Sequence, residues 1–330
     1  MPDYDVLCIG NAIVDIIAQC DDAFLETNGI VKGAMNLIDA RRAELLYSRM
    51  GPAIEASGGS AGNTAAGIAS FGGRTAYFGK VSKDHLGAIF THDIHAQGVA
   101  FDTAPLEGTP PTARSMIFVT PDGERSMNTY LGACVELGPD DVEADKASSA
   151  KVTYFEGYLW DPPKAKEAIR QTARLAHEAR REVAMTLSDS FCVDRYRDEF
   201  LDLMRSGTVD IVFANSSEIK SLYQTQSFDE AVALIRKDCK LAAVTRSEQG
   251  SVIVRGSETV TINAAPIREL VDTTGAGDLY AAGFLHGYTQ GLDLKTCGDL
   301  GSLAAGLVIQ QIGPRPHQSL RDAAVKAGLL

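Results

Sequence analysis

No stretch of the chain approaches the roughly 18 consecutive apolar residues that a membrane-spanning helix requires. The opening MPDYDVLCIG also lacks a basic segment followed by an apolar core, so a cytoplasmic protein with no membrane partner is expected. Positive charge is scarce: 31 Lys and Arg stand against 43 Asp and Glu, a formal charge of −12. That balance excludes an overall attraction to nucleic-acid backbones or anionic surfaces. The six cysteines include no C-x-x-C pair, which argues against a zinc site or a disulfide framework and leaves them as small buried hydrophobes. His92 and His95 have no third ligand at ordinary spacing, so no metal is expected there.

What the chain does have is 45% apolar residues over a length of 330, enough to bury the core of one large domain or two small ones. Short apolar runs at residues 6–9, 76–81, 152–155, 183–187, 211–214, 242–245 and 252–254 read as buried strands. Residues 162–182, 228–240 and 279–290 carry helical spacing between them. The rhythm is that of an α/β protein with a mostly parallel sheet covered on both faces. Two segments break it. Residues 13–39 hold two strand-like pieces around DDAFLETNG, and residues 113–130 read as a hairpin, ARSMIFVT then PDG then ERSMNTY. Neither fits a crossover helix, and together they can form a small sheet over an active site at the strand ends.

The segment DTTGAGD, residues 272–278, lies before a helical run rich in alanine and glycine. Gly275 and Gly277, with Ala276 between them, let the backbone curl so that successive N–H groups point outward at a helix start. Such a turn cradles an anion, and the helix dipole reinforces it. Asp278, beside a bound phosphate, can take the proton of a substrate hydroxyl; the alternative is that it only caps a core helix. Other glycine motifs fail on spacing. In GGRTAYFGKVS five residues separate Gly73 from Gly79, and Val81 stands where a P-loop requires Ser or Thr. Tyr280 occupies the third glycine position of a dinucleotide fingerprint begun at Gly275 and Gly277.

SGGSAGNTAAGIASFGG, residues 57–73, is a second glycine-rich entry into a helix. Gly58 and Gly59 let the main chain touch a ligand and Asn63 can donate to and accept from a hydroxyl; close helix packing accounts for the small residues equally well. Asp15, in AIVDIIA, has two apolar residues on each side, and an unpaired charge buried there would cost several kcal/mol. It needs a partner, which a vicinal diol, a backbone N–H or an arginine can supply.

Taken together these residues resemble the PfkB/ribokinase-type carbohydrate kinases, and among them the adenosine-kinase-like members. The resemblance covers essentially the whole chain. It is carried by GGSAGNTAAGIASFGGRTAYFGKVSKDHLG in the first third and DTTGAGDLYAAGFLHG in the last. It implies a ribokinase-like three-layer α/β domain over residues 1–330, with a small β-sheet lid from about residues 12–39 and 98–131. It also implies an ATP-dependent phosphotransferase acting with Mg²⁺ on the primary hydroxyl of a ribofuranose-type acceptor.

By the same resemblance Asp278 is the catalytic base, and the amides of Gly275, Ala276 and Gly277 form the anion hole. Asn11, Asp15, Gly58, Gly59 and Asn63 bind the acceptor hydroxyls. Asn215 and Glu218, in FANSSEIKSL, organise Mg²⁺ and phosphates through water, and Thr245 and Gly250 lie in the nucleotide-binding turn VTRSEQGSVIV, where Ser247 replaces the usual glycine. Arg125 resembles a lid arginine that reaches the transferring charge, the alternative being a solvated hairpin arginine. Asp272 and the loop around Gly313 resemble a K⁺ site. A monomer or homodimer is implied, with ATP and a nucleoside or sugar as small-molecule partners. Local text (GERSMNTYLGA, EGYLW, TLSDSFCVD) favours adenosine over free ribose or fructose. Tyr158 and Trp160, just beyond a strand, either stack on a purine or pack in the interior. The alternative of another class is a silent sugar- or nucleotide-sensing module; a dehydrogenase lacks its fingerprint.

Overall fold

The computed structural model describes residues 2–330. In chain order the first strands are β1 (Tyr4–Ile9), β2 (Ile13–Gln19), β3 (Met35–Leu37), β4 (Ala53–Ser57), β5 (Thr75–Phe78), β6 (Val99–Ala100), β7 (Ala113–Val119) and β8 (Arg125–Tyr130). They continue as β9 (Ala150–Glu156), β10 (Glu182–Thr186), β11 (Ile211–Asn215), β12 (Leu241–Thr245), β13 (Ser251–Arg255) and β14 (Glu258–Ile262). The helices are α1 (Asp22–Thr27), α2 (Ala40–Arg49), α3 (Ser60–Ser70), α4 (His85–Ala96), α5 (Ala144–Ser149) and α6 (Pro163–Glu178). After them come α7 (Ser190–Arg205), α8 (Ser216–Tyr223), α9 (Phe228–Asp238), α10 (Ala276–Thr289), α11 (Leu294–Val308) and α12 (Leu320–Lys326).

A 9-stranded sheet runs in the order β14-β13-β12-β11-β10-β9-β1-β5-β6. It is parallel from β6 to β12, and β13 and β14 are added antiparallel at one edge. The apolar runs explain why it sits inside: successive residues of β1 point to opposite faces, so Val6 and Cys8 join one core with α3, α10 and α11. Leu7 and Ile9 join the other core, with α6, α7 and α9. The chain leaves β1 towards β5 and leaves β9 towards β10, although β1 and β9 are hydrogen-bonded neighbours. That reversal opens a crevice at the carboxyl ends of β1 and β9, where open α/β sheets bind ligands.

A 5-stranded sheet, in the order β3-β8-β7-β2-β4, has its own apolar core of Ile16, Leu25, Ala43, Leu46, Met116 and Phe118. The hairpin read from residues 113–130 is present as β7 and β8, closed by Gly123 N–H donating to Thr120 O at 2.8 Å. Two details differ from the expected span of this sheet. Residues 53–57 add β4 as an edge strand beside β2, and residues 99–100 pair with β5 in the larger sheet instead. Along β2 the burial alternates: Val14, Ile16 and Ala18 are buried, while Ile13, Asp15 and Ile17 lie half-buried on the opposite face. That period of two lifts Asp15 out of the apolar core its neighbours fill.

Candidate functional site

Glu156 ends β9 at the crevice and is 1% exposed. Its Oε1 accepts from the Asn11 backbone N–H at 3.0 Å and from Asn11 Nδ2 at 2.6 Å, and its Oε2 accepts from Ala61 N–H at 2.8 Å. One carboxylate thereby ties the turn after β1 to the start of α3. Burial pushes its carboxyl up to about 7, against the pull of those donors. The Asn11 amide is fixed by this contact, yet its Oδ1 is buried without a partner. That oxygen can accept from a ligand hydroxyl.

Asp15 faces the same crevice, and its carboxylate accepts no hydrogen bond among the described residues; burial pushes the carboxyl up to about 7, Arg315 and Arg125 oppose the rise and the Asp278 charge adds to it. The two glycines beside it have distinct reasons. A Cβ on Gly58 would fall 2.3 Å from Asp15 Oδ2. Gly59 sits at φ +84°, where a Cβ would strike Asn11 O at 2.2 Å, so the loop has its shape only with glycine there.

Asp278 lies in the first turn of α10, behind the left-handed cap Gly275. It does not cap that helix. Its Oδ1 accepts from Ser60 Oγ at 2.6 Å and its Oδ2 from Asn63 Nδ2 at 2.9 Å, so the carboxylate bridges to α3. Burial raises its pKa above the usual carboxylate range, and the Ser60 and Asn63 hydrogen bonds and the Arg315 charge pull it back. The anion cradle departs from the expected trio at one point: Ala276 N–H donates to Thr273 O at 3.2 Å, closing the turn on itself. The amides of Gly275, Gly277 and Asp278 have no backbone partner among the described residues, as the first turn of a helix requires.

At the far end, Asn215 and Glu218 form a capping box on α8: Asn215 Oδ1 accepts from Ser217 N–H and Glu218 N–H, and Glu218 returns to Asn215 N–H at 2.9 Å and Nδ2 at 2.5 Å. The N-x-x-E spacing therefore has a structural use of its own. Burial pushes the Glu218 carboxyl up to about 7, with Asp189 and Asp278 adding to the rise. A cation near these three carboxylates would relieve that repulsion, and hard oxygen donors suit a divalent ion. No group of three or more side-chain ligands converges among the described residues, so such an ion fits here through water and phosphate oxygens.

Arg125, at the start of β8, forms a buried ion pair with Asp272, its side chain 8% and the aspartate's 5% exposed. The other contacts of Asp272 are Thr274 N–H at 3.0 Å and Gly313 N–H at 2.9 Å. A guanidinium already neutralises this carboxylate, so the expected K⁺ ligand does not fit, and the solvated-arginine reading of Arg125 does not hold either. Arg125 Nη1 is buried with no partner.

In the turn between β12 and β13, Thr245 Oγ1 donates to Ala214 O at 3.4 Å, and Gly250 sits at φ +78° with Ile262 O 1.9 Å from where a Cβ would be. Gly250 is thus required by the backbone of β14. Ser247 has a positive φ of +51°, a conformation that costs a residue with a side chain about 1 kcal/mol. Ser247→Gly is expected to raise stability by up to about 1 kcal/mol in urea denaturation. An unchanged or lowered midpoint would show that the serine side chain compensates.

Of the two roles open to Trp160, stacking on a purine or packing in the interior, it takes the second. It is wholly buried, stacked on Phe155 and edge-on to Phe200, and its indole N–H donates to Glu199 Oε2 at 2.8 Å. An amphipathic ring that is itself wholly buried, with its one donor paired, belongs to the core beneath α6 and α7. Tyr158 is different: it is half-buried, and its phenol feels the charges of Asp189, Glu218 and Asp278, which with burial raise its pKa.

Residues 43–320 match the family model described as pfkB family carbohydrate kinase. The chain belongs to the pfkB family. It is an ATP-dependent kinase of the nucleoside and carbohydrate class, and ATP brings a divalent metal with it. Among solved structures it is similar to the adenosine kinase of Sinorhizobium meliloti, with 73% identity, 98% of this chain and 99% of that one covered, and a TM-score of 0.94. It is also similar to a probable sugar kinase from Rhizobium etli, with 71% identity, complete coverage of both chains and a TM-score of 0.96. Among curated proteins, the adenosine kinase of Saccharomyces cerevisiae is 28% identical over 94% of this chain and 96% of its own.

Within this pfkB kinase the sequence pointed to Asn11, Asp15, Gly58, Gly59, Asn63 and Asp278, and the fold brings all six to one crevice. Reasoning from sequence missed Glu156 and Arg315. Glu156 stood in the quoted EGYLW, where an acid ending an apolar strand was the available signal. Arg315 lies in GPRPH, after the last recognised motif.

The crowding of carboxylates has a consequence for stability. Asp15, Glu156 and Glu218 are raised to about 7 by burial, whereas unfolded carboxylates titrate near ~4. A carboxyl with a raised folded-state pKa contributes stability that is complete below the unfolded value and lost as pH rises through the folded one. The ligand-free kinase is therefore expected to melt higher near pH 5.5 than near pH 7.5 in scanning calorimetry. A melting temperature that is flat or rises over that interval would show that these groups are ionised without cost.

Proposed function

We propose that this kinase transfers the γ-phosphate of ATP, as its Mg²⁺ complex, to the 5′-hydroxyl of adenosine, giving AMP and ADP. The observation that carries the reading is the Asp278 carboxylate, desolvated, held by Ser60 and Asn63, and adjacent to unpaired amides at a helix N-terminus. Asp278 takes the hydroxyl proton as the oxygen attacks the γ-phosphorus, while the amides of Gly275, Gly277 and Asp278 hold the charge on the transferring group. Asp15 accepts from the two ribose hydroxyls, and Asn11 Oδ1 and Asn63 complete the acceptor contacts. Arg125, with its unpaired Nη1, faces the developing charge. Asn215 and Glu218 would hold Mg²⁺ through water, and the ion neutralises the phosphates when bound.

Adenosine is favoured by the Sinorhizobium and yeast relatives, both adenosine kinases. The Rhizobium structure, described as a probable sugar kinase, favours a second reading in which a free sugar is the acceptor. A silent sensing module would have no use for a desolvated carboxylate beside a phosphate cradle. In a side-by-side ADP-release assay, adenosine is expected to exceed ribose in kcat/KM at least roughly tenfold, about 1.4 kcal/mol of base recognition. If ribose or fructose proves the better acceptor, the nucleoside reading is wrong and the sugar-kinase reading replaces it.

A further inference from the structure

Arg315 is a guanidinium in the middle of the acceptor site, without an ion pair among the described residues. It is 9% exposed, and its direct partners are all neutral: Asn63 Oδ1 from Nε at 3.3 Å, Gly58 O from Nη2 at 3.2 Å, Gln97 Oε1 from Nη1 at 3.0 Å, and Ser57 Oγ. A buried charge is strongly disfavoured unless something balances it. Here the balance comes from Asp15, Asp93 and Asp278, whose charges oppose the loss of its proton. The mounting is rigid. Pro314 and Pro316 fix the backbone on both sides, Gln311 Nε2 donates to Arg315 O, and a Cβ on Gly62 of α3 would lie 3.2 Å from Nη2.

The contact with Asn63 has a directional consequence. A guanidinium only donates, so the Asn63 amide must turn its oxygen to Arg315 and its Nδ2 to Asp278 Oδ2, 2.9 Å away. We propose that Arg315 is a positioning residue: by fixing the Asn63 amide it aims the Asp278 carboxylate, and its charge stabilises the negative charge on that carboxylate. This rests on the reading of Asp278 as the base.

The ionisable groups around Asp278 make the electrostatic part specific. Asp15 approaches from β2, Tyr154 and Glu156 from β9, Tyr158 from the turn after β9, and Glu218 from α8; each is disfavoured in its charged form by the Asp278 charge. Against these acids Arg315 is the cation that counts for Asp278, beside the neutral donors Ser60 and Asn63. Removing it must raise the affinity of Asp278 for a proton, and the base then loses its charge at higher pH.

The test compares wild type, Arg315→Met and Arg315→Lys in kcat against pH, with whichever acceptor wild type turns over fastest, alongside Asp278→Asn and thermal melting of each protein. Arg315→Met is expected to lose at least about tenfold in kcat and to move the acid limb up by about one pH unit or more, the scale of a neighbouring opposite charge. Arg315→Lys keeps charge but not the fork, so it is expected to restore most of the acid limb while kcat stays about tenfold low. An acid limb unmoved in a folded Arg315→Met variant overturns the proposal. If that variant fails to fold, Arg315→Lys decides, and a wild-type kcat there overturns it. Near-wild-type kcat in Asp278→Asn instead sinks the base reading, whatever Arg315 does.

Discussion

Asp278→Asn is expected to keep the fold and both ligands while losing at least about a hundredfold in turnover, the scale of a general-base contribution. The replacement is isosteric, and the site can accommodate it. Ser60 Oγ, now a donor to Oδ1 at 2.6 Å, can rotate to accept from the new amide, while Asn63 Nδ2 continues to meet an oxygen. The substitution also removes a charge that burial disfavours, so the melting temperature is expected to hold or rise. Initial rates at saturating substrates, read together with the melting curve, separate chemistry from folding. Near-normal kcat in a folded variant would remove Asp278 from the chemistry and leave it as a bridge between α3 and α10.

The second large effect is expected at Asp15. Asp15→Ala should raise the acceptor KM roughly a hundredfold and leave the KM for ATP where it was. Two hydrogen bonds from a diol to one carboxylate are charge-assisted, each worth about 1.5–3 kcal/mol. Losing about 3 kcal/mol of binding is about two decades in affinity. The carboxylate accepts no side-chain hydrogen bond among the described residues, and its pKa stays pushed up to about 7 even beside Arg315 and Arg125, so what its removal takes from the balance of the Arg315 charge is smaller than the cost of keeping it ionised in the crevice. The ligand-free variant is expected to melt no lower than wild type at pH 8. An acceptor KM within about threefold of wild type would mean that the diol is held elsewhere.

Much of this arrangement was readable because local chemistry and fold agree. Six of the seven apolar runs became parallel strands and the seventh, residues 252–254, the antiparallel β13, since a strand buried on both faces needs no alternation. The hairpin at residues 113–130 declared itself through PDG, and the carboxylate in AIVDIIA through its lack of any local reason to be there. What escaped was set by distance along the chain. Glu156 meets Asn11 across 145 positions and Arg315 meets Asn63 across 252, and neither has a local pattern to mark it. Trp160 stayed open between two roles because its place beyond a strand suited both, and the partner of its indole N–H, the half-exposed Glu199, lies 39 residues on. The strand β14 was unrecognised for a plain reason: ETVTI alternates at an exposed edge, with Ile262 buried at its end. The cradle departed from the expected trio because the Thr273 carbonyl reaches back to Ala276 N–H, a choice of turn that composition does not dictate.

With Asp15, Asn11 and Asn63 holding the acceptor as proposed, the separate core of the smaller sheet splits that grip between two packed cores. Asp15 and Arg125 ride on strands packed around Ile16, Leu46 and Phe118, whereas Asn11, Asn63 and Asp278 are anchored to the larger sheet and its helices. The boundary does not separate specificity from chemistry, since Asn11 and Asn63 sit with Asp278 and Arg125 sits with Asp15. Repacking the minor core would therefore move Asp15 and Arg125 together and leave the amides of the cradle, at the start of α10, as they are.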